Sequence, residues 1–192
     1  MPRPKAYNEE TVLTAAMNCF WRKGYTATSM KDLEAATGLT PGSIYNSFGS
    51  KDGLFLRVLE YYTNRYTNQR VKRMLETPDP VAGISHYLTE CFDTDAIMLG
   101  SGCLLINTAA ELGPHDADIC KKVKQYLKPA DEALQQVIER GQTEGSINEK
   151  ADPALLAEHL GLLMTGMLVS SKLNPKRDWN PMVRESVERI LH

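Results

Sequence analysis

The chain has 192 residues and a formal net charge of −2, and this length suits one large domain or two small ones with a buried core. Hydrophobic residues make up 42% and charged residues 24% of the chain, which excludes a disordered protein. With 13 Gly and 10 Pro, the composition also excludes a low-complexity or collagen-like protein.

The sequence predicts a cytoplasmic protein that has no membrane partner. Its uncharged stretch at residues 96–110 is shorter than the ~20 apolar residues that span a membrane. The N-terminus lacks the apolar core of a secretory signal. The four cysteines form no CxxC pair, so we expect free thiols in a reducing compartment.

Charge is distributed unevenly along the chain. Residues 1–75 carry 11 Lys and Arg against 6 Asp and Glu, whereas residues 76–192 carry 11 against 18. A basic head on an acidic body is typical of a protein that binds a polyanion at one end. The alternative is chance clustering of charges on solvated helix faces.

Apolar residues recur mostly at intervals of three and four, which predicts an all-helical chain. Gly24 and Gly38 mark the ends of the first two helices, and Ser29 and Asp32 have the spacing of a capping box. The first four helices are predicted at about residues 9–23, 29–38, 41–48 and 51–75.

The rest of the chain continues the helical pattern. Several of its helices start with proline after a polar capping residue. Further helices are predicted near residues 80–92, 103–112, 116–141, 153–172 and 181–191. Pro129 is expected to kink or divide the longest of them.

Residues 29–48 have the spacing of a helix-turn-helix, in which the second helix enters the DNA major groove. The two short helices flank a tight turn that contains Gly38. The residues expected to face inward are Leu33, Ala36, Leu39, Ile44 and Phe48. A plain helical hairpin with polar residues in water is the alternative.

The second helix of this motif suits DNA. Gly42 and Ser43 are small, so the start of the helix can approach the duplex closely. Lys51 opens the following helix and can reach the DNA backbone. The side chains that supply hydrogen bonds to phosphates or base edges are Thr40, Ser43, Tyr45 and Asn46.

Residues 9–60 resemble the N-terminal domain of TetR-type transcriptional regulators. The resemblance includes the spacing of Phe20 from Gly24-Tyr25 and of Ile44-Tyr45 from Ser50-Lys51-Asp52. The further matching positions are Thr28, Ser29, Leu33, Gly38, Gly42, Ser43, Phe48, Leu54 and Phe55. The chain departs from the family at Asn46-Ser47, where a His or Tyr often precedes the Phe.

The resemblance implies an all-α homodimer. Residues 1–55 would form the helix-turn-helix DNA-binding domain, and residues 56–192 the ligand-binding and dimerisation domain. The DNA contacts carried over by position are Thr28, Thr40, Gly42, Ser43, Tyr45, Asn46 and Lys51, with Lys31 as a further phosphate contact or a solvated side chain.

The residues themselves also indicate a dimer. The helix from Leu155 to Val169 is apolar on nearly all sides, so it needs partners on several sides. Together with the amphipathic last helix it can form a four-helix interface between two copies. A central buried helix in a monomer is the alternative.

Scattered polar groups among apolar helices predict an effector site in the body. The candidate ligand-binding residues are Tyr87, Cys103, Asn107 and Tyr126. Cys103 opens a helix, which favours a reactive thiolate, and Cys120 has three lysines nearby. Both thiols are alternatively small buried apolar residues. Neither a metal site nor a cofactor is predicted, since the histidines have no ligand spacing.

These observations predict a ligand-responsive repressor. It binds a palindromic operator as a homodimer, and a small molecule or thiol modification releases it by changing the separation of the two recognition helices. A small helical thiol-dependent enzyme is the alternative, although no Cys–His–Asn arrangement or phosphate-binding Gly loop is visible. A structural dimer whose basic head binds proteins is the third possibility.

Overall fold

The computed structural model describes residues 7–92 and 100–192, and every regular element in those ranges is helical. This confirms the all-α fold class. The α-helices are α1 Glu9–Lys23, α2 Met30–Thr37, α3 Pro41–Phe48, α4 Lys51–Tyr62, α5 Asn68–Glu76, α6 Pro80–Thr89, α7 Leu104–Leu112, α8 Ala117–Glu144, α9 Pro153–Leu173 and α10 Asn180–Leu191. The chain divides into two compact units, Met1–Thr63 and Asn64–His192.

The predicted fourth helix is two α-helices joined by a π-helical segment, Thr63–Thr67. The Thr63 hydroxyl donates to the carbonyl of Leu59 at 2.8 Å, and Thr63 and Thr67 are both buried. Such side-chain bonds compete with the regular backbone ladder, which explains the local change of helix type. The boundary between the two compact units follows Thr63, the first residue of this segment.

Helix α8 contains Pro129 and is still a single helix of 28 residues. Proline removes one backbone donor, which leaves the carbonyl of Gln125 without its usual partner. Both residues are exposed, so water can bond that carbonyl. Proline therefore does not divide this helix.

Aromatic contacts between α1 and α4 build the core of the N-terminal unit. The rings of Phe20 and Phe55 are 4.8 Å apart, and those of Trp21 and Tyr62 meet edge to face at 5.0 Å. Leu33 and Ile44 are completely buried, as predicted. The predicted inward placement of Ala36 is wrong, because Ala36 is exposed.

Helix α9 lies in the core of the C-terminal unit, where Leu160 and Leu168 are buried among residues of α8 and α10. By length and composition alone, α9 is the one described helix that could cross a membrane, contrary to the expectation that no segment reaches that length. Its packed side is that of a core helix, and core helices of soluble proteins pass the same test.

Candidate nucleic-acid interface

The turn between α2 and α3 is built from local capping. Ser29 and Asp32 form a reciprocal capping box at the start of α2. Hydrogen bonds from Lys23 and Ser29 hold the pKa of Asp32 well below its usual range. Gly38 ends α2 with φ +70°, a left-handed conformation that favours glycine. These contacts fix the direction in which α3 leaves the turn.

Helix α3 presents a polar surface outward. Ile44 is 0% exposed and anchors the inner face, whereas Tyr45 is 51% exposed and Asn46 is exposed beside it. The Thr40 side chain caps the helix by accepting from the Ser43 amide at 3.3 Å. The first amides of the helix and several hydroxyls are thus gathered at one end, where they suit a phosphate group.

The junction between α3 and α4 is equally constrained. The Ser50 hydroxyl accepts from the Gly53 amide at 3.0 Å, so α4 begins directly after α3. A methyl group added at Gly53 would lie 1.9 Å from the carbonyl oxygen of Phe48. This close approach places Lys51 at the end of α3. Its Nζ lies 4.2 Å from the centre of the Tyr25 ring, whose hydroxyl donates to Asp52.

The structure places the predicted DNA-contacting residues at different depths. The exposed ones are Lys31, Thr40, Gly42, Tyr45 and Asn46, and the half-buried ones are Ser43 and Lys51. Thr28 is only 1% exposed, and its hydroxyl donates to the carbonyl of Gly24 at 2.6 Å. The expectation of a DNA contact through the Thr28 side chain is therefore corrected: the side chain supports the loop before α2.

Of the four predicted ligand residues, Tyr87 lines one of the two cavities described for the C-terminal unit, and Cys103, Asn107 and Tyr126 line neither of these two. Tyr87 lines a cavity of about 340 Å³ between α5 and α6. Cys103 precedes α7 at the N-cap position without a side-chain capping bond, and Tyr126 lies half-buried on α8. The Asn107 amide is already engaged: it donates to the Ser101 carbonyl at 2.7 Å and accepts from Lys172 at 3.1 Å.

A larger cavity, of about 390 Å³, lies beside the turn between α9 and α10. Its lining residues are Cys91, Phe92, Gly100, Gly102, Leu168, Ser171, Pro175, Lys176, Arg177, Asp178, Trp179 and Asn180. Trp179 is 6% exposed, and within residues 7–92 and 100–192 neither its indole nitrogen nor Oδ1 of Asn180 has a hydrogen-bond partner. The sequence pattern did not indicate Trp179 as a ligand-binding residue, because a single tryptophan before a helix is usually a residue of the hydrophobic core.

The thiols of the C-terminal unit differ in environment. Burial raises the pKa of Cys91 to about 11, although the Arg70 guanidinium, which donates to its sulfur at 3.7 Å, acts in the opposite direction. By side-chain exposure, Cys103 and Cys120 are half-buried, as is Cys91. Among the described residues no three His, Cys, Asp or Glu side chains are grouped to hold a metal ion.

Two family models match the chain. The model described as bacterial regulatory proteins, tetR family, matches residues 12–58, and the model described as tetracyclin repressor-like, C-terminal domain, matches residues 90–187. The HTH-type transcriptional repressor ComR of Escherichia coli (strain K12) is 33% identical over 177 residues, which cover 88% of this chain and 82% of ComR. The repressor DhaR of Mycobacterium sp. (strain GP1) is 28% identical and covers 83% of this chain and 79% of DhaR.

Solved structures share the whole fold. A cysteine mutant of the TetR family regulator CifR, complexed with 26-base-pair operator DNA, is 26% identical with a TM-score of 0.82, covering 98% of this chain and 97% of CifR. The reduced form of Escherichia coli NemR has a TM-score of 0.81 at 21% identity, covering 95% of this chain and 96% of NemR, and supports the fold alone.

The contacts of Gly53 predict that Gly53→Ala lowers the free energy of unfolding by about 1–3 kcal/mol, because its methyl group overlaps the Phe48 carbonyl. The matched control is Gly42→Ala on the exposed start of α3, where the nearest atom to the added methyl group lies 4.0 Å away. That change should raise the free energy of unfolding by up to about 1 kcal/mol. Urea unfolding measures both, and equal stability of the two variants would contradict the described junction.

Proposed function

This chain belongs to the TetR family of bacterial regulatory proteins, and we propose that it represses transcription until an effector releases it from a palindromic operator. It is a helix-turn-helix regulator that binds double-stranded DNA as a homodimer. The observation that carries the proposal is α3, whose outer face is polar and exposed while Ile44 anchors its inner face.

The outer face of α3 supplies the proposed DNA contacts. Tyr45 and Asn46 extend from the exposed side, where they reach phosphates or base edges in the major groove. Lys31 and Lys51 supply charge to the DNA backbone. The small Gly42 lets the amides at the start of the helix approach a phosphate, and the Thr40 and Ser43 hydroxyls add hydrogen bonds there.

The proposed dimer face lies on α9. Leu155, Leu162 and Val169 are seven residues apart, so they share one side of the helix, and all three are exposed. A methyl group added at Gly166 would meet no atom within 4 Å, so a partner helix can approach closely there. A second copy packed on this face would bury the stripe. A dimer that reads a palindrome needs its two recognition helices about one DNA turn apart, ~34 Å.

The 390 Å³ cavity is the proposed effector site. It has the size of a small-molecule pocket and combines apolar walls with a few polar groups. A buried donor without a partner is destabilising, and an effector that accepts from the Trp179 indole would remove that penalty. Lys176 and Arg177 in the wall favour an effector that carries an acceptor or a negative charge.

Release of the operator is proposed to be a shift between two conformations. The effector must bind the state with the wrong separation of recognition helices more tightly than the operator-binding state. Modification of the half-buried Cys103 or Cys120 would have the same effect. In this proposal the protein acts in the cytoplasm by binding and not by turnover of a substrate.

We expect operator affinity to fall by about 10³-fold or more between 50 and 200 mM salt, because phosphate contacts release counterions.

Tyr45→Ala should weaken operator binding by about 10- to 100-fold without changing the helical content. Fluorescence anisotropy measures the salt dependence and the affinity of the variant, with a labelled DNA fragment that carries the palindrome nearest the gene for this protein. Gln136→Ala, an exposed change on α8, is the control. Salt-independent binding would reject the repressor proposal, and unchanged affinity would remove Tyr45 from the contacts.

Leu162→Glu should convert the dimer to monomers. Leu162 is 64% exposed in a single copy, and dimer formation on this face would bury the new carboxylate at a high cost in free energy. Sedimentation velocity measures the change, and operator affinity should fall with it. Gln136→Glu introduces the same charge on α8 and should leave the dimer intact. A Leu162→Glu protein that stays dimeric would move the interface to another face.

The effector site is tested with 1-anilinonaphthalene-8-sulfonate, an apolar dye whose sulfonate accepts hydrogen bonds. The dye should bind one molecule per protomer, and Trp179→Phe, which removes only the indole donor, should weaken binding by about tenfold. Tyr87→Phe removes a hydroxyl at the 340 Å³ cavity and serves as the control. Loss of dye binding in Tyr87→Phe alone would assign the site to that cavity instead.

A further inference from the structure

We propose that Tyr25 is a positioning residue that holds the Lys51 ammonium group ready for a DNA phosphate and keeps the neighbouring Asp52 carboxylate away from it. The inference rests on the proposed role of Lys51 as a phosphate contact. It assigns a specific task to a side chain that lies outside the recognition helix.

The Tyr25 ring is fixed against the core of the N-terminal unit. It lies 4.8 Å from the Phe55 ring and stacks on Phe20 at 6.1 Å with an interplanar angle of 14°. Phe20 and Phe55 are themselves buried and in edge contact with each other. The loop between α1 and α2, which otherwise has no regular structure at Tyr25, thus presents an immobilised aromatic face.

That face holds the Lys51 side chain. Lysine has a flexible four-carbon stem, and ordering this stem on DNA carries an entropic cost. The Lys51 Nζ lies 4.2 Å from the centre of the Tyr25 ring, well within the range of a cation–π attraction. The ring contact orders the stem before DNA arrives.

The hydroxyl of Tyr25 holds the opposite charge. It donates to Oδ1 of Asp52, the residue that follows Lys51 in the first turn of α4. An unbound carboxylate at this place would compete with the DNA phosphate for Lys51. One side chain therefore separates the two charges, with the ammonium group on its ring and the carboxylate at its hydroxyl.

The test is a set of double-mutant cycles on operator affinity across a series of salt concentrations. Lys51→Met should weaken binding by about tenfold and lower the salt slope by about 2 per dimer, one phosphate contact for each protomer. Tyr25→Leu should reproduce most of that affinity loss in the native background. In the Lys51→Met background, Tyr25→Leu should have no further effect, because the side chain that it positions is absent.

Tyr25→Phe separates the two parts of the contact. It keeps the ring and removes the hydroxyl, so it should lower affinity by about two- to fivefold in the native background and by nothing when Lys51 is Met. The matched control is Tyr61→Phe in the same unit. Tyr61 also bonds a carboxylate, that of Glu10 at 3.4 Å, and this change should leave both the affinity and the salt slope unchanged.

Additive losses for the Tyr25 and Lys51 changes would overturn the proposal, since a purely structural Tyr25 acts independently of Lys51. If Tyr25→Leu does not fold, the Tyr25→Phe cycle alone decides between coupled and additive losses. A native protein that shows no salt-dependent operator binding would reject the proposed function itself. A Lys51→Met protein with a native salt slope would reject the phosphate contact and the positioning role together.

Discussion

An eight-residue helix is not stable in water on its own, and this constraint governs the DNA-binding end of the molecule. Helix α3 exists because Ile44 is buried beneath it, Thr40 caps its start and the Gly53 backbone lies against its last carbonyl. The side chains on its outer face are consequently not needed to hold the helix in place. The polar side chains there can serve recognition because the inner face and both ends supply the stability.

The helical elements could be predicted because their end signals are local. Capping residues, helix-ending glycines and prolines after polar caps act within a few residues, so the bounds of α1, α2 and α3 agree with the sequence pattern. The π-helical segment could not be predicted, because it depends on two buried threonines whose burial is a tertiary property. The exposure of Ala36 could not be predicted for a related reason. Apolar periodicity identifies which side of a helix is buried, but not how many neighbouring positions on that side are buried.

The exposed row on α3 follows from the helix-turn-helix spacing, which is why Tyr45 and Asn46 could be identified as candidate contacts before the structure. Thr28 could not be judged in this way, because a loop residue carries no periodic signal of burial. Tyr25 and Trp179 depend on residues distant in sequence, with Phe55 packed against the first and Phe92 against the second. Sites assembled by such distant contacts leave no local pattern.

The apolar stripe on α9 has a consequence for how much of the protein a cell must hold. When Leu162 and its neighbours are covered only by a second copy, dilution uncovers them, and the folded form becomes less stable as its concentration falls. Folding and pairing are then a single equilibrium with one shared dependence on abundance. The number of molecules per cell therefore limits the concentration of folded dimer, and through it the occupancy of the operator at any given operator affinity.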